Sequence, residues 1–180
     1  MNLEDLNGKR VMHIDMSNRF KQNRNTGVAY KMIKTNEHKG LGISNKLKRE
    51  LDRNLNTGED YSRLYAICIY FLIKNDLDKF DIFIVCNDEP FLYVKEYLNI
   101  LFSGEERYFR KEISSLAKLR EITGDKNIRS YADNIAGIYR RKIFQKVQRR
   151  QKGVSLNTIE INYRMIVKKW KEIDKILKKA

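Results

Sequence analysis

A run of mostly apolar residues, from Phe80 to Cys86, constrains the fold of this chain more than any other segment. It is nearly continuous and ends in the turn-forming residues Asn87-Asp88-Glu89-Pro90. Such runs are typical of strands that are buried on both faces, in sheets covered by helices. The run therefore predicts a central strand of an α/β sheet.

The other segments supply the rest of this sheet and its helices. Apolar alternation predicts strands over residues 10–15, 26–34 and 38–43, and a short strand is expected over 120–123. Apolar spacing of three and four predicts helices over residues 47–55, 61–74, 90–101, 107–119 and 129–151. Grouped strands followed by alternating elements imply one mixed sheet with helices on both faces.

A C-terminal helix completes the predicted organisation. Asn157-Thr158-Ile159-Glu160 has the capping-box pattern that opens a helix. Its apolar residues form a narrow seam with a spacing of four and three: Ile159, Tyr163, Ile166, Trp170, Ile173 and Leu177. The seam is expected to pack on the domain itself, or alternatively on a protein partner or a second copy. We therefore divide the chain into a domain over residues 1–152 and a helical extension over 153–180.

The net charge of the chain indicates which classes of partner it binds. The chain has 37 Lys and Arg against 23 acidic residues, a net charge of +14, which favours nucleic acid or, less often, an anionic membrane surface. An A+T-rich coding bias is the alternative explanation. The longest apolar stretch, residues 64–73, is too short to span a bilayer, and the first ten residues lack the apolar core of a signal peptide. We expect a soluble cytoplasmic protein in which Cys68 and Cys86 are buried and unpaired.

Three carboxylates are placed where α/β proteins bind ligands. Asp15 ends the first predicted strand, Asp88 follows the buried strand, and Asp133 lies in the first turns of a late helix. If the first and fourth strands are neighbours, Asp15 and Asp88 meet at the carboxyl edge of the sheet. Hard oxygen ligands gathered there would bind Mg²⁺ or Mn²⁺. The alternative is that each is an ordinary turn or cap residue.

These residues resemble motifs of type 1 ribonuclease H. The matching strings, in the order of that family, are Asp15-Met16-Ser17, Thr26-Gly27-Val28-Ala29-Tyr30, Asp88 with Tyr93-Val94 one turn later, Thr123-Gly124, and Ala132-Asp133-Asn134-Ile135-Ala136. The resemblance implies a ribonuclease H-like mixed sheet flanked by helices, with the C-terminal helix as an addition. It also implies a two-metal endonuclease that cleaves RNA in an RNA/DNA hybrid, or a relative that acts on other RNA or DNA.

The chain departs from that family at two places. The family's glutamate lies in the first long helix, where Arg63 occupies the most similar string; Glu59 or Asp60 would supply the missing carboxylate, or neither does. The family's mobile histidine is also missing, and Asp125 and Lys126 occupy its loop. A second hypothesis is therefore a catalytically degenerate module that binds nucleic acid. A third is a viral or mobile-element scaffold that assembles through the last helix.

A cluster of basic residues follows Asp133. Seven basic residues and no acidic residue lie within thirteen positions, and six of them are the predicted nucleic-acid contacts: Arg140, Arg141, Lys142, Lys146, Arg149 and Arg150. Such a helix surface would neutralise phosphates without reading sequence. The alternative is an ordinary solvated helix face.

Overall fold

The computed structural model describes residues 8–35, 37–142 and 157–179, apart from the side chains of Glu59 and Lys142. Within these residues one mixed sheet has the strand order β3-β2-β1-β4-β5. Its strands are β1 (Val11–Ser17), β2 (Thr26–Met32), β3 (His38–Ile43), β4 (Ile82–Val85) and β5 (Glu112–Ser115). β1 pairs antiparallel with β2 and parallel with β4. β2 and β3 are antiparallel, whereas β4 and β5 are parallel. The predicted α/β class is confirmed, and the first and fourth strands are neighbours.

Helices cover both faces of the sheet. They are α1 (Asn45–Leu55), α2 (Tyr61–Ile73), α3 (Phe91–Leu101), the single turn α4 (Glu106–Phe109), α5 (Leu116–Thr123), α6 (Asp133–Lys142) and α7 (Tyr163–Leu177). Apolar side chains of β1, β2 and β3 pack with α2, α3 and α7 into the main core. On the opposite face, α5 covers β4 while α6 covers the other half of the sheet. None of the helices in the described ranges combines the length and apolar character that crossing a membrane requires.

Two glycines allow α6 to approach the sheet closely. A Cβ on Gly27 would overlap the carbonyl oxygen of Ala136, and one on Gly40 would overlap the ring of Tyr139. Glycine in a strand weakens it unless another group must come near. Here the approaching group is α6. Gly27 of β2 and Gly40 of β3 therefore allow α6, which begins at Asp133, to pack directly on the sheet.

The segment from residue 107 to 123 corrects two predictions. The predicted helix over 107–119 is interrupted by β5, whose Ser115 pairs with Val85 of β4. The predicted strand over 120–123 is wrong, because these residues belong to α5. The Ser115 side chain caps α5 by accepting a hydrogen bond from the Lys118 backbone N–H at 3.1 Å. Leu116 and Leu119 then face the sheet, as their helical spacing allows.

The C-terminal helix begins later than predicted. Thr158 forms a parallel bridge with Gly40 at the edge of the sheet, so the capping-box pattern at residues 157–160 does not open a helix. Asn162 caps α7 instead, accepting from the Met165 backbone N–H at 3.1 Å. Ile166, Trp170 and Ile173 of the predicted seam are buried in the main core. The first of the two expectations for the seam, packing on the domain itself, is confirmed.

Candidate functional site

Asp15 and Asp88 converge at the carboxyl edge of the sheet. Ile14 of β1 pairs with Val85 of β4, so Asp15 and Cys86, which follow these two residues, lie next to each other where the pairing of β1 with β4 ends. One carboxylate oxygen of Asp15, one of Asp88 and the sulfur of Cys86 lie within 4.8 Å of one another. Asp15 is 6% exposed, whereas Asp88 is partly open to solvent. We refer to these three residues as the carboxylate cluster.

Cys86 is a hydrogen-bond donor within this cluster. Its thiol donates to Asp88 Oδ2 at 3.0 Å, and the Tyr65 hydroxyl of α2 lies 3.2 Å from its sulfur. Since the thiol proton is directed at Asp88, the Tyr65 hydroxyl donates to the sulfur. Burial, with the two neighbouring carboxylates, raises the pKa of the Cys86 thiol well above its ordinary value. The thiol is therefore protonated and orients Asp88.

Asp15 is held by polar neighbours, but it forms no ion pair with any described residue. Burial raises the pKa of Asp15 to about 6, while the neighbouring Cys86 thiol, Met16 backbone N–H and Ser130 hydroxyl lower it. The Met16 N–H lies 2.7 Å from Asp15 Oδ1. The negative charge of Asp88 raises the pKa further. Two acids thus share a site of low polarity, where a bound cation would favour their charged forms.

The donor set fits a hard divalent cation. Arg19, whose side chain is 48% exposed, lies 3.4 Å from Asp88 Oδ1, which is at the long end for an ion pair. Carboxylate oxygens are the ligands that Mg²⁺ and Mn²⁺ prefer, with water completing the coordination. Asp15 and Asp88 meet this requirement, whereas the protonated Cys86 sulfur is a soft and poor ligand for such ions.

Asp60 and Arg63 form a separate cluster at the start of α2. Asp60 accepts hydrogen bonds from the Arg63 backbone N–H at 3.0 Å, from Arg63 Nε at 3.1 Å and from the Tyr97 hydroxyl at 2.6 Å. Arg63 also pairs with Asp174 of α7, and its guanidinium lies 4.4 Å from the Trp170 ring centroid. Asp60 is thus the helix cap that the sequence suggested and is not part of the carboxylate cluster. The other proposed substitute, the side chain of Glu59, lies outside the described residues.

Asp133 opens α6, in the first helical turn as predicted. Its side chain is exposed and is not among the ligand atoms that lie within 4.8 Å of one another. The loop before α6 nevertheless contacts the cluster, because Ser130 hydrogen-bonds to Asp15. The backbone N–H of Tyr131 also approaches Nδ1 of the buried His13 at 3.4 Å.

Sequence reasoning missed several residues of this site. Glu89 follows Asp88, and burial raises its pKa to about 7. Glu89 could have been found from the sequence, because Asp88 and Glu89 form an acidic pair directly after the apolar run. Cys86 and Asp88 are two positions apart, and the turn at residues 87–88 brings the thiol to the Asp88 carboxylate. Nothing in the sequence indicates Tyr65, because a tyrosine within an apolar helix is an ordinary core residue.

The predicted nucleic-acid contacts are described only in part. Arg140 and Arg141 line a groove with a volume of about 710 Å³ between α6, the β1–β2 loop and the start of α1. Four further predicted contacts lie outside the description: the side chain of Lys142 and the residues Lys146, Arg149 and Arg150. The two predicted contacts that are described, Arg140 and Arg141, thus lie beside one groove.

Comparisons of this chain with models of protein families, with curated proteins and with solved structures found no match. The paired carboxylates of Asp15 and Asp88, and the positive charge of the groove beside them, therefore carry the functional proposal.

Proposed function

We propose that this chain is a metal-dependent nuclease with a ribonuclease H-like fold. It would hydrolyse phosphodiester bonds in the RNA of an RNA/DNA hybrid or in a related nucleic acid. The observation that carries the proposal is the convergence of Asp15 and Asp88 at the carboxyl edge of β1 and β4. A mixed sheet in which β1 lies between an antiparallel and a parallel partner agrees with the resemblance to type 1 ribonuclease H.

The residues of the cluster have distinct proposed roles. Asp15 and Asp88 would hold Mg²⁺ or Mn²⁺, which in nucleases activates water and stabilises the leaving oxygen. Cys86 and Tyr65 fix the orientation of Asp88 through their hydrogen bonds. The Met16 backbone N–H fixes Asp15 in the same way. Positions set before substrate arrives need little reorganisation during the reaction.

Two further acidic residues extend this proposal. Asp133 is the last carboxylate that the resemblance implies, and it lies at the start of the helix whose preceding loop contacts Asp15. Glu89 adjoins Asp88 and is half-buried beside it. We propose Asp133 as a third ligand and Glu89 as a neighbouring carboxylate that increases the negative charge of the site.

One observation favours the alternative, a degenerate module that binds nucleic acid without cleaving it. Asp60, which caps the start of α2, binds Arg63 and Tyr97 and does not belong to the carboxylate cluster. From the same helix, the neutral hydroxyl of Tyr65 reaches the cluster instead of a carboxylate. A site with fewer carboxylates would hold metal more weakly, and the basic residues would then be its main functional feature.

Cleavage assays separate the two functions. The purified chain is incubated with labelled RNA/DNA hybrid, duplex DNA and single strands, in Mg²⁺, in Mn²⁺ and in EDTA. The nuclease proposal expects metal-dependent products that D88N loses, because Asn keeps the shape of Asp and removes its charge. The matched control is D78N, which alters an aspartate whose side chain is 74% exposed and pairs with Arg107 at the surface. Equal cleavage by wild type and D88N would refute the assignment, and binding without cleavage by wild type would favour the alternative.

A further inference from the structure

A groove beside the carboxylate cluster is lined entirely by polar and basic residues. We call it the basic groove; its lining residues are Asn18, Asn23, Arg24, Asn25, Ser44, Asn45, Lys46, Arg140 and Arg141. Four of the nine are cationic, and none is acidic. The groove is open to solvent and has a volume of about 710 Å³, within the range of ligand sites.

The cations of the basic groove lack acidic partners within the described ranges. Arg24, Lys46, Arg140 and Arg141 form no ion pair there, so the described residues do not neutralise the positive charge of the groove. Residues 143–156 continue this imbalance in the sequence, with four basic residues and no acidic one. Positive charge gathered in a concave surface attracts a polyanion.

The wall of the basic groove is held in place before any ligand binds. Asn18 has a left-handed backbone, with φ of 63°, and its amide donates to the Asn25 carbonyl at 3.1 Å. The Asn25 side chain in turn accepts from the Asn45 backbone N–H at 2.7 Å, which ties the β1–β2 loop to α1. A preformed site loses less entropy on binding than one that must order itself.

A buried lysine strengthens the same wall. Lys48 of α1 reaches under the β1–β2 loop and donates to the carbonyls of Phe20 and Gln22 and to the Thr26 hydroxyl. Because its ammonium group donates all these hydrogen bonds within the protein, Lys48 positions the loop and does not contact a ligand. Lys48 therefore holds the β1–β2 loop, which carries Arg24, against α1.

The basic groove adjoins the proposed metal site. Ser17, two residues beyond Asp15 on β1, lies near Gly137 of α6, and so does Arg141. A Cβ at Gly137 would be 3.7 Å from Ser17 Oγ and 3.8 Å from Arg141 Nη1. A strand whose reacting phosphate lay at Asp15 would therefore carry its next phosphates toward Arg141.

We propose that the basic groove binds the phosphate backbone of the nucleic-acid strand that the carboxylate cluster acts on. Arg24 and Lys46, which the sequence did not single out, join Arg140 and Arg141 as backbone contacts. The Asn23 and Asn45 amides, which hydrogen-bond to nothing in the described chain, supply further donors for phosphate or sugar oxygens. Such contacts position a strand and carry no base information. The inference rests on the proposed function only for the nucleic-acid partner.

The test is a salt titration of binding in EDTA, where cleavage is excluded. The double variant R24Q/K46Q is compared with K168Q/K171Q, which removes two exposed charges of α7 that do not line the groove. For a labelled DNA duplex, the slope of log affinity against log salt should become shallower by about 1.8 for two lost contacts. At 0.15 M salt this is roughly 30-fold weaker binding, if the electrostatic contribution vanishes near 1 M. The control variant should keep the wild-type slope.

Two outcomes would overturn the inference: an unchanged slope for R24Q/K46Q, or an equal loss in the control. If R24Q/K46Q fails to fold, N23D/N45D introduces negative charge into the same groove with little change of shape and should weaken binding comparably. The failure of the nuclease proposal is separately visible. Wild type that binds with the full slope but cleaves no substrate in Mn²⁺ would refute catalysis and leave the basic groove supported.

Discussion

Two acidic clusters near the start of α2 differ in how their charge is balanced. In one, Asp60 and Asp174 both bind the guanidinium of Arg63, which also lies over the ring of Trp170. In the other, the carboxylate cluster, Asp15 forms no ion pair with a described residue, and Asp88 has one long contact, to Arg19. The Arg63 cluster holds α7 against α2, so its function is structural. The negative charge of the carboxylate cluster is not neutralised by the described residues and can bind an external cation.

The largest expected effect separates the two clusters by metal affinity. D15N and D88N each remove half of the charged ligand pair and should weaken Mn²⁺ binding by more than the roughly 10–100-fold that loss of an outer partner costs. D60N, which lies in the other cluster, should bind Mn²⁺ as wild type does. Isothermal titration with Mn²⁺ checks both. An equal loss of Mn²⁺ affinity in D60N and D88N would show that the two clusters do not differ in metal binding.

The second effect concerns stability. R63M leaves the partly buried Asp60 and Asp174 carboxylates without their cation and should lower the free energy of unfolding by about 1–3 kcal/mol, the cost of leaving a polar group unsatisfied away from water. Urea denaturation measures the loss. Mn²⁺ affinity of the folded variant should be unchanged. A loss below about 1 kcal/mol, the range of surface ion pairs, would mean that Arg63 is not structural.

The same contrast explains what could be predicted from the sequence. Asp15 and Asp88 were identified because strand ends and an apolar run place them by simple periodicity. The role of Arg63 could not be predicted, since its partner Asp174 lies 111 positions away and only packing of α7 brings them together. Likewise, Tyr65 joins the cluster because α2 packs against the sheet in the main core. Sequence spacing contains no such information.

Prediction of the secondary structure from local sequence has the same limit. β4 was predicted because burial on both faces makes its sequence apolar, whereas β5 reads Glu112-Ile113-Ser114-Ser115 and lies at the sheet edge. Its strand conformation comes from pairing with β4, a tertiary effect that outweighs local propensity. The capping-box pattern at residues 157–160 misled for a similar reason, because Gly40 pairs with Thr158 there.

The third effect is a pH dependence from Asp15. Its folded pKa of about 6 lies above the ordinary 3.8, so between these values the folded state binds more protons than the unfolded state. Stability from this group is therefore lost as pH rises from about 4 to 6, by at most about 3 kcal/mol. D15N lacks this loss. His13, whose burial lowers its pKa to about 4, acts in the opposite direction but is present in both proteins.

The measurement is the difference in unfolding free energy between wild type and D15N, taken in EDTA from pH 4 to pH 7. Wild type should lose stability relative to D15N across this range and level off above it. A difference that does not vary with pH would show that Asp15 is better solvated than its burial implies. Adding Mn²⁺ at pH 7 should restore stability to wild type only, because a ligand that binds the folded state stabilises it.

The smallest effect concerns Cys86, and it decides whether the sulfur is a donor or a ligand. C86S keeps a hydroxyl that can donate to Asp88 and accept from Tyr65, so Mn²⁺ affinity should change by less than about threefold, under 0.7 kcal/mol. Zn²⁺ binds thiolate sulfur strongly. If Cys86 were a ligand, C86S would lose far more Zn²⁺ affinity than Mn²⁺ affinity. We expect both to change equally little, because the thiol proton is engaged by Asp88.

The companion variant C86A shows what the thiol contributes as a donor. Alanine leaves the Tyr65 hydroxyl and Asp88 Oδ2 without this partner, and an unsatisfied buried polar group costs about 1–3 kcal/mol. C86A should therefore be less stable than C86S in urea, although both lack the sulfur. If both variants lose Zn²⁺ affinity alone and keep wild-type stability, the sulfur is a metal ligand. The cluster would then resemble a mixed thiolate–carboxylate site, and its contrast with the Arg63 cluster would be one of metal type as well as of charge.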